Sequence, residues 1–552
     1  MKLRISLFII IIFLQTELFG FVSDSIVTGG VGLISKSQLK NHIDSLGSDL
    51  FEGRSMGTSG GNLAAKYLAS QFEKMNLIPA GDEGTYYQYI PMHASQPQPE
   101  SGLVLYHDKD SSLLMLNQDY LLYKTGEQTF IPNPLPLVFV GFGIVAPEFD
   151  YNDYQSVNVE NKIVVFLEGE PFSTDEKYFE GIKPSIYSLP EMKQRIAISR
   201  GASGSIMIPG IRYKEAGEWK KLINEFAFED VTLAYSASGN LSVLMGPYVA
   251  EQLFHSAEFS INEVFNMQQQ NSLKSFELQT KISFKGEFRE RDFTSANIVG
   301  MIKGSNEKLS DSYLLISAHY DHLGIGPAVD GDSIYNGVYD NAIGVASLLE
   351  IASAFSKPEN KPERSIVFLL TAGEEKGWLG STYYVNNPVV PLYKTIANVN
   401  IDGIALFDRF RSIVGVGREY SSLNDFLIEI AKRNNLEVED IPEQFIQSES
   451  FTRSDQIIFA QAGIPSILIS EGLNYENLSR EDGIRLFIHY SENVYHTPFD
   501  DLTQPMNFDA AEQHTKIIFE FCRLLAASES VPEWNEGVPY NSARLRSIAE
   551  RK

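Results

Sequence analysis

The sequence predicts an α/β protein: a doubly wound, mostly parallel mixed sheet flanked by helices, with a β-rich segment inserted ahead of its main body. Two patterns carry that prediction. Beyond Asn297, strand-length apolar runs alternate with helix-length amphipathic ones, the order that lays a largely parallel sheet between two layers of helices. Between residues 103 and 290, short β-rich runs such as PLVFVGFGI and NKIVVFLEG alternate instead with turn-rich stretches such as PEFDYNDY. With 552 residues, 43% of them hydrophobic, the chain can fill more than one core.

The elements follow in order. Lys2 and Arg4 precede an apolar run from Ile5 to Leu14, the pattern of a secretory signal peptide over residues 1–20 and short for a membrane span. It predicts a secreted or periplasmic protein with no stable membrane insertion once the signal is cleaved. Residues 21–102 read as a helical part of the main domain, because SGGNLAAKYLASQFEKMNL spaces its apolar residues by three and four after a glycine-rich start. Residues 103–290 form the β-rich insert, in which LPEMKQRIAISRGA reads as a helix leading into the strand GSIMI. Residues 291–552 form the α/β domain, with candidate strands NIVGMI, SYLLISA, SIVFLLT, IANVNI and SILIS, and helices in NAIGVASLLEIASAF and SLNDFLIEIAKRNN.

Charge and cysteine content exclude whole classes of function. A net charge of -26, spread without long acidic runs, argues against binding nucleic acid or anionic lipid. Cys522 is the single cysteine, so no intrachain disulfide forms, and its place in KIIFEFCRLLAA makes it a packed residue.

The chemistry concentrates at strand ends, where open α/β sheets bind ligands. SYLLISA ends at His319, SIVFLLTAG at Glu374 and Glu375, and IANVNI at Asp402; Asp340 precedes a helical pattern and His496 lies in the turn-like VYHTPFDD. Singly, each has a plainer reading: His319 a surface histidine, Asp340 a helix N-cap, Glu374 and Glu375 a solvated turn, His496 a loop residue. Jointly, five residues suited to metal are enough to hold two divalent ions, and adjacent Glu374 can move a proton beside ligand Glu375. Two carboxylates at a buried strand end need cations. Asp321 is placed to orient His319 through its second ring nitrogen. His322 is a weaker ligand candidate, since pairing with His319 at that spacing needs a helix. Asp330 and Asp332 in AVDGDSIYN lack the later ligands of a calcium loop and read as a polar turn.

AHYDHLG, YNGVYDNAIGVASLLEIA, TAGEEKGWLGS, NVNIDG and YHTPFDD match, in succession, the motifs of the dinuclear-zinc aminopeptidase family that includes glutamate carboxypeptidases and glutaminyl cyclases. The chain resembles a secreted member of that family, with a zinc exopeptidase-like fold, over residues 297–526, and EGRSMGTSGGNLAAKYLA resembles its N-terminal region. VFVGFGIVAPEFDYNDY and NVENKIVVFLEGEP resemble the protease-associated domain often inserted in such enzymes. FTRSDQIIFAQAGIPSILIS departs from the family in having Gln456 where a histidine is common.

The resemblance implies two Zn2+ ions per chain. It makes Asp340 the carboxylate shared by both, with His319 and Asp402 completing one set of ligands and Glu375 and His496 the other. Glu374 becomes the general base, Asp321 the partner of His319, and a cis peptide joins Asp340 to Asn341. Histidine and carboxylate donors without cysteine suit catalytic zinc, and cobalt or manganese can occupy the same set. The implied activity is removal of N-terminal residues from peptides by a metal-activated water, with peptide substrates as partners; nothing in the sequence specifies an oligomeric state. Carboxypeptidase action on the same fold needs cationic groups around a substrate carboxylate, and Arg409, Arg411, Arg418 and Arg453 follow Asp402. Glutaminyl cyclisation is disfavoured by a complete five-ligand set, and a metal-free receptor-like role by the presence of every ligand and the base.

Overall fold

SIVFLLT is buried at every position, and its side chains divide by parity: Ile366, Phe368 and Leu370 enter one core while Val367 and Leu369 enter another. A strand apolar on both faces belongs in the middle of a covered sheet. In the structure, a computed structural model that describes residues 34–123, 129–210, 217–237, 239–442, 445–446 and 451–549, it lies there. A ten-stranded sheet runs in the order Asp230–Leu233, Tyr87–Pro97, Phe288–Ile302, Ser365–Thr371, Tyr313–His319, Thr395–Asn400, Ser466–Glu471, Ser412–Val416, Glu437–Glu439, with Ile78–Pro79 added beside Phe288–Ile302. The helices Lys36–Leu46, Ser59–Lys74, Ile343–Phe355, Leu423–Arg433 and Phe508–Ala527 supply the larger core on one face. Leu379–Asn386 and Gln456–Gln461 cover the other through Tyr384 and Phe459.

The sheet is mixed, as expected, but its parallel part is narrower than the sequence suggests. Four central strands, from Ser365–Thr371 to Ser466–Glu471, pair in parallel, and antiparallel strands flank them on both sides. NIVGMI is only the end of the strand Phe288–Ile302. Ser412–Val416 and Glu437–Glu439 were not anticipated: the first is five residues interrupted by Gly415, the second three. Tyr87–Pro97 is a strand within the segment expected to be helical, with Ile90, Met92 and Ala94 buried at alternate positions. Pro91 hides it, since proline inside an apolar run argues against a strand.

Gly102–His107 through Ser275–Lys285 contribute to a second, eight-stranded sheet with its own buried clusters. Three of its pairings are parallel, joining Phe130–Val140, Ile163–Leu167, Gly204–Ile208 and Leu241–Met245. The helix Pro190–Ser199 packs on it through Ala197, beside Val138 and Val164. One strand from this stretch, Asp230–Leu233, crosses back to edge the main sheet against Tyr87–Pro97. Residues 1–20, on which the signal-peptide reading rests, lie outside the described residues.

Candidate metal centre

Three neighbouring parallel strands end level with one another. His319 pairs with Thr371, and Ser317 with Asn400, so His319, the Glu374–Glu375 pair and Asp402 all emerge at the same carboxyl edge of the sheet. Asp340 reaches that edge from the irregular turn Val338–Ala342 that starts the helix Ile343–Phe355. His496 arrives from the turn after the helix Arg480–Asn493, in a left-handed conformation with φ 56°. The structure therefore brings together all five residues that the sequence singles out as ligands.

Their spacing divides them into two sets that share Asp340. His319 Nε2 lies 3.2 Å from Asp340 Oδ1 and 3.2 Å from Asp402 Oδ1. His496 Nε2 lies 3.4 Å from Asp340 Oδ2 and 3.1 Å from Glu375 Oε2. The capping role open to Asp340 falls to its neighbour: Asn341 Oδ1 accepts from the backbone of Gly344 and of Gly403, each at 3.0 Å. The Asp340–Asn341 peptide is cis. Asp500 fixes the turn from behind, accepting from the backbone N–H of Tyr339 at 2.8 Å and of Asp340 at 3.1 Å.

Electrostatics separates the two adjacent glutamates. Burial opposes ionisation of Glu375, yet His496 and His322 hold its pKa down at about 2. Glu374 has no such support: burial, then the charges of Glu375 and Asp402 outweighing the pull of His319, keep it well above the usual carboxylate range. A carboxyl held high beside one held low is the pattern of an acid–base group next to a permanent anion.

Asp321 faces His319 differently from expectation. Nδ1 of His319 lies 3.2 Å from the Asp321 backbone carbonyl and 3.8 Å from its carboxylate. The carboxylate instead accepts the Glu374 backbone N–H at 3.2 Å, tying the two site loops together. Beside the expected residues stand His322, expected only as a weaker ligand candidate, and Arg54, Asp455 and Asp500, which the sequence pattern does not single out. His322 is wholly buried with Nδ1 2.6 Å from Glu375 Oε1. Asp455 is buried beneath the site and accepts from Thr371 at 2.6 Å. Gln456 accepts from Asn400 Nδ2 at 2.9 Å and donates to the Phe451 carbonyl at 3.0 Å, a packed polar link.

The donors fit a metal. His319, Asp340 and Asp402 present ligand atoms within 4.8 Å of one another, the compactness of a chelating set. His496 Nε2 is buried without a hydrogen-bond partner although two carboxylates surround it. An unsatisfied ring nitrogen among crowded carboxylates is what a cation would resolve.

Residues 297–522 match the model of Peptidase family M28, which leaves the eight-stranded sheet outside the match. A vacuolar membrane protease of Lodderomyces elongisporus is 35% identical over 111 residues, 20% of this chain and 10% of that protein. One of Lachancea thermotolerans is 34% identical over 117 residues, 21% of this chain and 11% of that protein. The matched stretch thus spans about a tenth of the length of these relatives. Among solved structures, an aminopeptidase from Aneurinibacillus sp. strain AM-1 shares the fold, with a TM-score of 0.53 and 17% identity over 90% of this chain and 95% of that one.

These relatives correct one expectation. The secreted or periplasmic location read from Lys2, Arg4 and the following apolar run does not stand against curated relatives named for the vacuolar membrane. The physical reason is that a short basic-then-apolar stretch is common to cleaved leaders and to anchors, and does not say which membrane it meets. Among the described residues, no helix is long and apolar enough to cross a membrane.

Proposed function

We propose that the chain, whose residues 297–522 match the model of Peptidase family M28, is a zinc-dependent exopeptidase that removes single residues from unblocked peptide N-termini. The observation that carries this is the pair of ligand sets sharing Asp340, with Glu374 set apart by its raised pKa beside them. His319 and Asp402 would hold one zinc ion, Glu375 and His496 the other, and Asp340 both. Zinc bound there supplies a Lewis acid for the scissile carbonyl and a water of lowered pKa.

This chain's residues do the rest. Glu374 accepts the proton of the attacking water at its carboxylate and delivers it to the departing amine, a task suited to a carboxyl whose pKa lies well above the usual range. Asp321 holds the Glu374 backbone in register with His319. Asp340, Asp402 and Glu375 form the acidic surround that a substrate ammonium would meet. The aminopeptidase choice over a carboxypeptidase is favoured by the arginines: Arg409 pairs with Glu476 at 3.3 Å and Arg418 with Asp440, so two of the four cations named for a substrate carboxylate are already engaged. The eight-stranded sheet is proposed as a protease-associated domain, supported by the motifs that fall within it.

The test is Glu374→Gln. Turnover of aminoacyl-anilides should fall at least about 1,000-fold, the scale of losing the acid–base group, while zinc content measured by elemental analysis stays near two per chain. Near-normal turnover would remove Glu374 from the mechanism. Cleavage of C-terminally free dipeptides but not of anilides would replace the aminopeptidase reading by the carboxypeptidase one.

A further inference from the structure

His322 stands outside the two ligand sets, yet it is packed against one of them. Its side chain is wholly buried, and Nδ1 approaches Glu375 Oε1 to 2.6 Å, while the other oxygen of that carboxylate faces His496 Nε2 at 3.1 Å. Nε2 of His322 is buried with no hydrogen-bond partner. An unprotonated ring nitrogen tolerates that isolation better than an N–H does, so the ring's proton belongs on Nδ1, where Glu375 accepts it. Nδ1 is 3.9 Å from Asp340 Oδ2, and His322, Asp340 and Glu375 present donor atoms within 4.8 Å of one another; with the proton on Nδ1 the ring serves Glu375 as a hydrogen-bond donor instead of a cation as a ligand.

The ring's seat is built by glycine. At Gly337, φ is +61°, and a Cβ there would come within 2.3 Å of His322 Cγ and 2.5 Å of Cδ2. Only glycine permits both that backbone conformation and the packed imidazole. The same residue's carbonyl accepts from Arg54 at 2.6 Å, so the seat is itself anchored. The His496 ring closes the other side, edge to face with His322 at 5.7 Å between centroids.

We infer that His322 is a positioning residue: by donating from Nδ1 to Glu375 Oε1 it fixes that carboxylate so that Oε2 faces His496, and it thereby sets the affinity of the cation held there rather than of the one at His319 and Asp402. A flexible glutamate gains much from being held in one orientation, and hydrogen-bond partners of metal ligands change metal affinity by about 10–100-fold when removed. The inference rests on the proposed two-metal reading.

The experiment titrates the full-length protein, stripped by chelator and dialysed, with zinc against a chromophoric competitor, for wild type, His322→Phe and His322→Asn. His322→Phe keeps the ring and loses the donor; His322→Asn returns an N–H near the position of Nδ1. Expected is a second zinc equivalent bound about 10–100-fold more weakly in His322→Phe, an unchanged first equivalent, and recovery of most of the loss in His322→Asn. Wild-type affinity for both equivalents in His322→Phe overturns the inference, as does equal loss in both variants, which would mean packing alone. If His322→Phe does not fold, His322→Asn decides: near-wild-type affinity supports the positioning role, and hundredfold loss overturns it. A wild-type protein that binds no zinc would sink the two-metal reading itself, an outcome distinct from the others.

Discussion

Arg54 Nη2 donates to the carbonyl of Gly337 at 2.6 Å, across 283 residues of sequence. The same guanidinium donates to the carbonyls of Tyr320 and Leu46 at 2.8 Å and of Asn336 at 2.5 Å, and it is wholly buried. Three of its four partners are backbone carbonyls of the two loops that carry His319 and Asp340, and the fourth ends the helix Lys36–Leu46, so the N-terminal segment staples the site from beneath. Burial lowers the Arg54 pKa to about 10, against the pull of Asp500, Asp340, Asp321 and Glu375, so the group stays charged at neutral pH and offsets part of the site's negative charge.

Arg54→Lys should therefore be far from conservative. A single ammonium cannot serve four diverging carbonyls, and the orphaned acceptors are buried. The expected loss is about 3 kcal/mol of stability in urea unfolding, the scale for breaking a buried charged hydrogen-bond network. A loss under about 0.5 kcal/mol would show that the staple carries no weight.

Asp340 and Asp402 should differ in what their loss removes. Asp402→Ala takes a carboxylate from one set only and is expected to leave about one zinc per chain, because Asp340, Glu375 and His496 remain. Asp340→Ala takes the shared carboxylate and should leave close to none. Elemental analysis after gel filtration reads the difference directly. Equal zinc content in the two variants would contradict the shared role of Asp340.

Stability should depend on metal. With His319, Asp340, Glu375 and Asp402 crowded at a buried edge, removing cations leaves carboxylates facing one another. Free zinc at 100 times its Kd stabilises the folded state by about 2.7 kcal/mol per site. Chelation should therefore lower Tm by several degrees, and zinc should restore it. A melting curve indifferent to chelator would argue against bound metal in the native state.

A pH dependence follows from His514, a buried residue of the helix Phe508–Ala527. Its Nδ1 accepts from the backbone of Ala405 at 2.9 Å, which leaves Nε2–H to donate to the Ile469 carbonyl at 3.0 Å. Burial lowers its pKa from 6.5 to about 4. The unfolded chain thus takes up the proton first as pH falls: the contribution is complete above pH 6.5, declines below it and is lost by about pH 4. At about 1.36 kcal/mol per pKa unit this is about 3 kcal/mol. Comparing unfolding free energies at pH 7 and 4.5, His514→Gln should lose less stability than wild type by up to that amount; parallel losses would refute it.

The convergence of the candidate ligands was legible for His319, Asp340, Glu375 and Asp402 because each follows an apolar run or opens a helix, and strand ends converge whatever the details of the sheet; His496, in a turn, has no such local signal. The five central strands from NIVGMI to SILIS were readable for the same reason. What escaped reading depends on three-dimensional packing. Arg54 sits in EGRSMG, where nothing local says that its side chain turns inward to four carbonyls. His322 lacks helical spacing to His319, and its partner, Glu375, comes from another strand's loop. Tyr87–Pro97 was disguised by Pro91, which an antiparallel pairing with Phe288–Ile302 nevertheless accommodates opposite Thr294.

That pairing has a consequence for how the molecule came to have two sheets. Tyr87–Pro97 and Phe288–Ile302 run antiparallel in continuous register from Tyr87 opposite Ile298 to Pro97 opposite Phe288. Topologically the two strands are one β-hairpin, and residues 98–287 are its loop. Chain-closure entropy grows only with the logarithm of loop length, so a hairpin tip can be enlarged enormously at little thermodynamic cost. A whole second sheet can sit at that tip without changing the order of the strands that carry the candidate ligands.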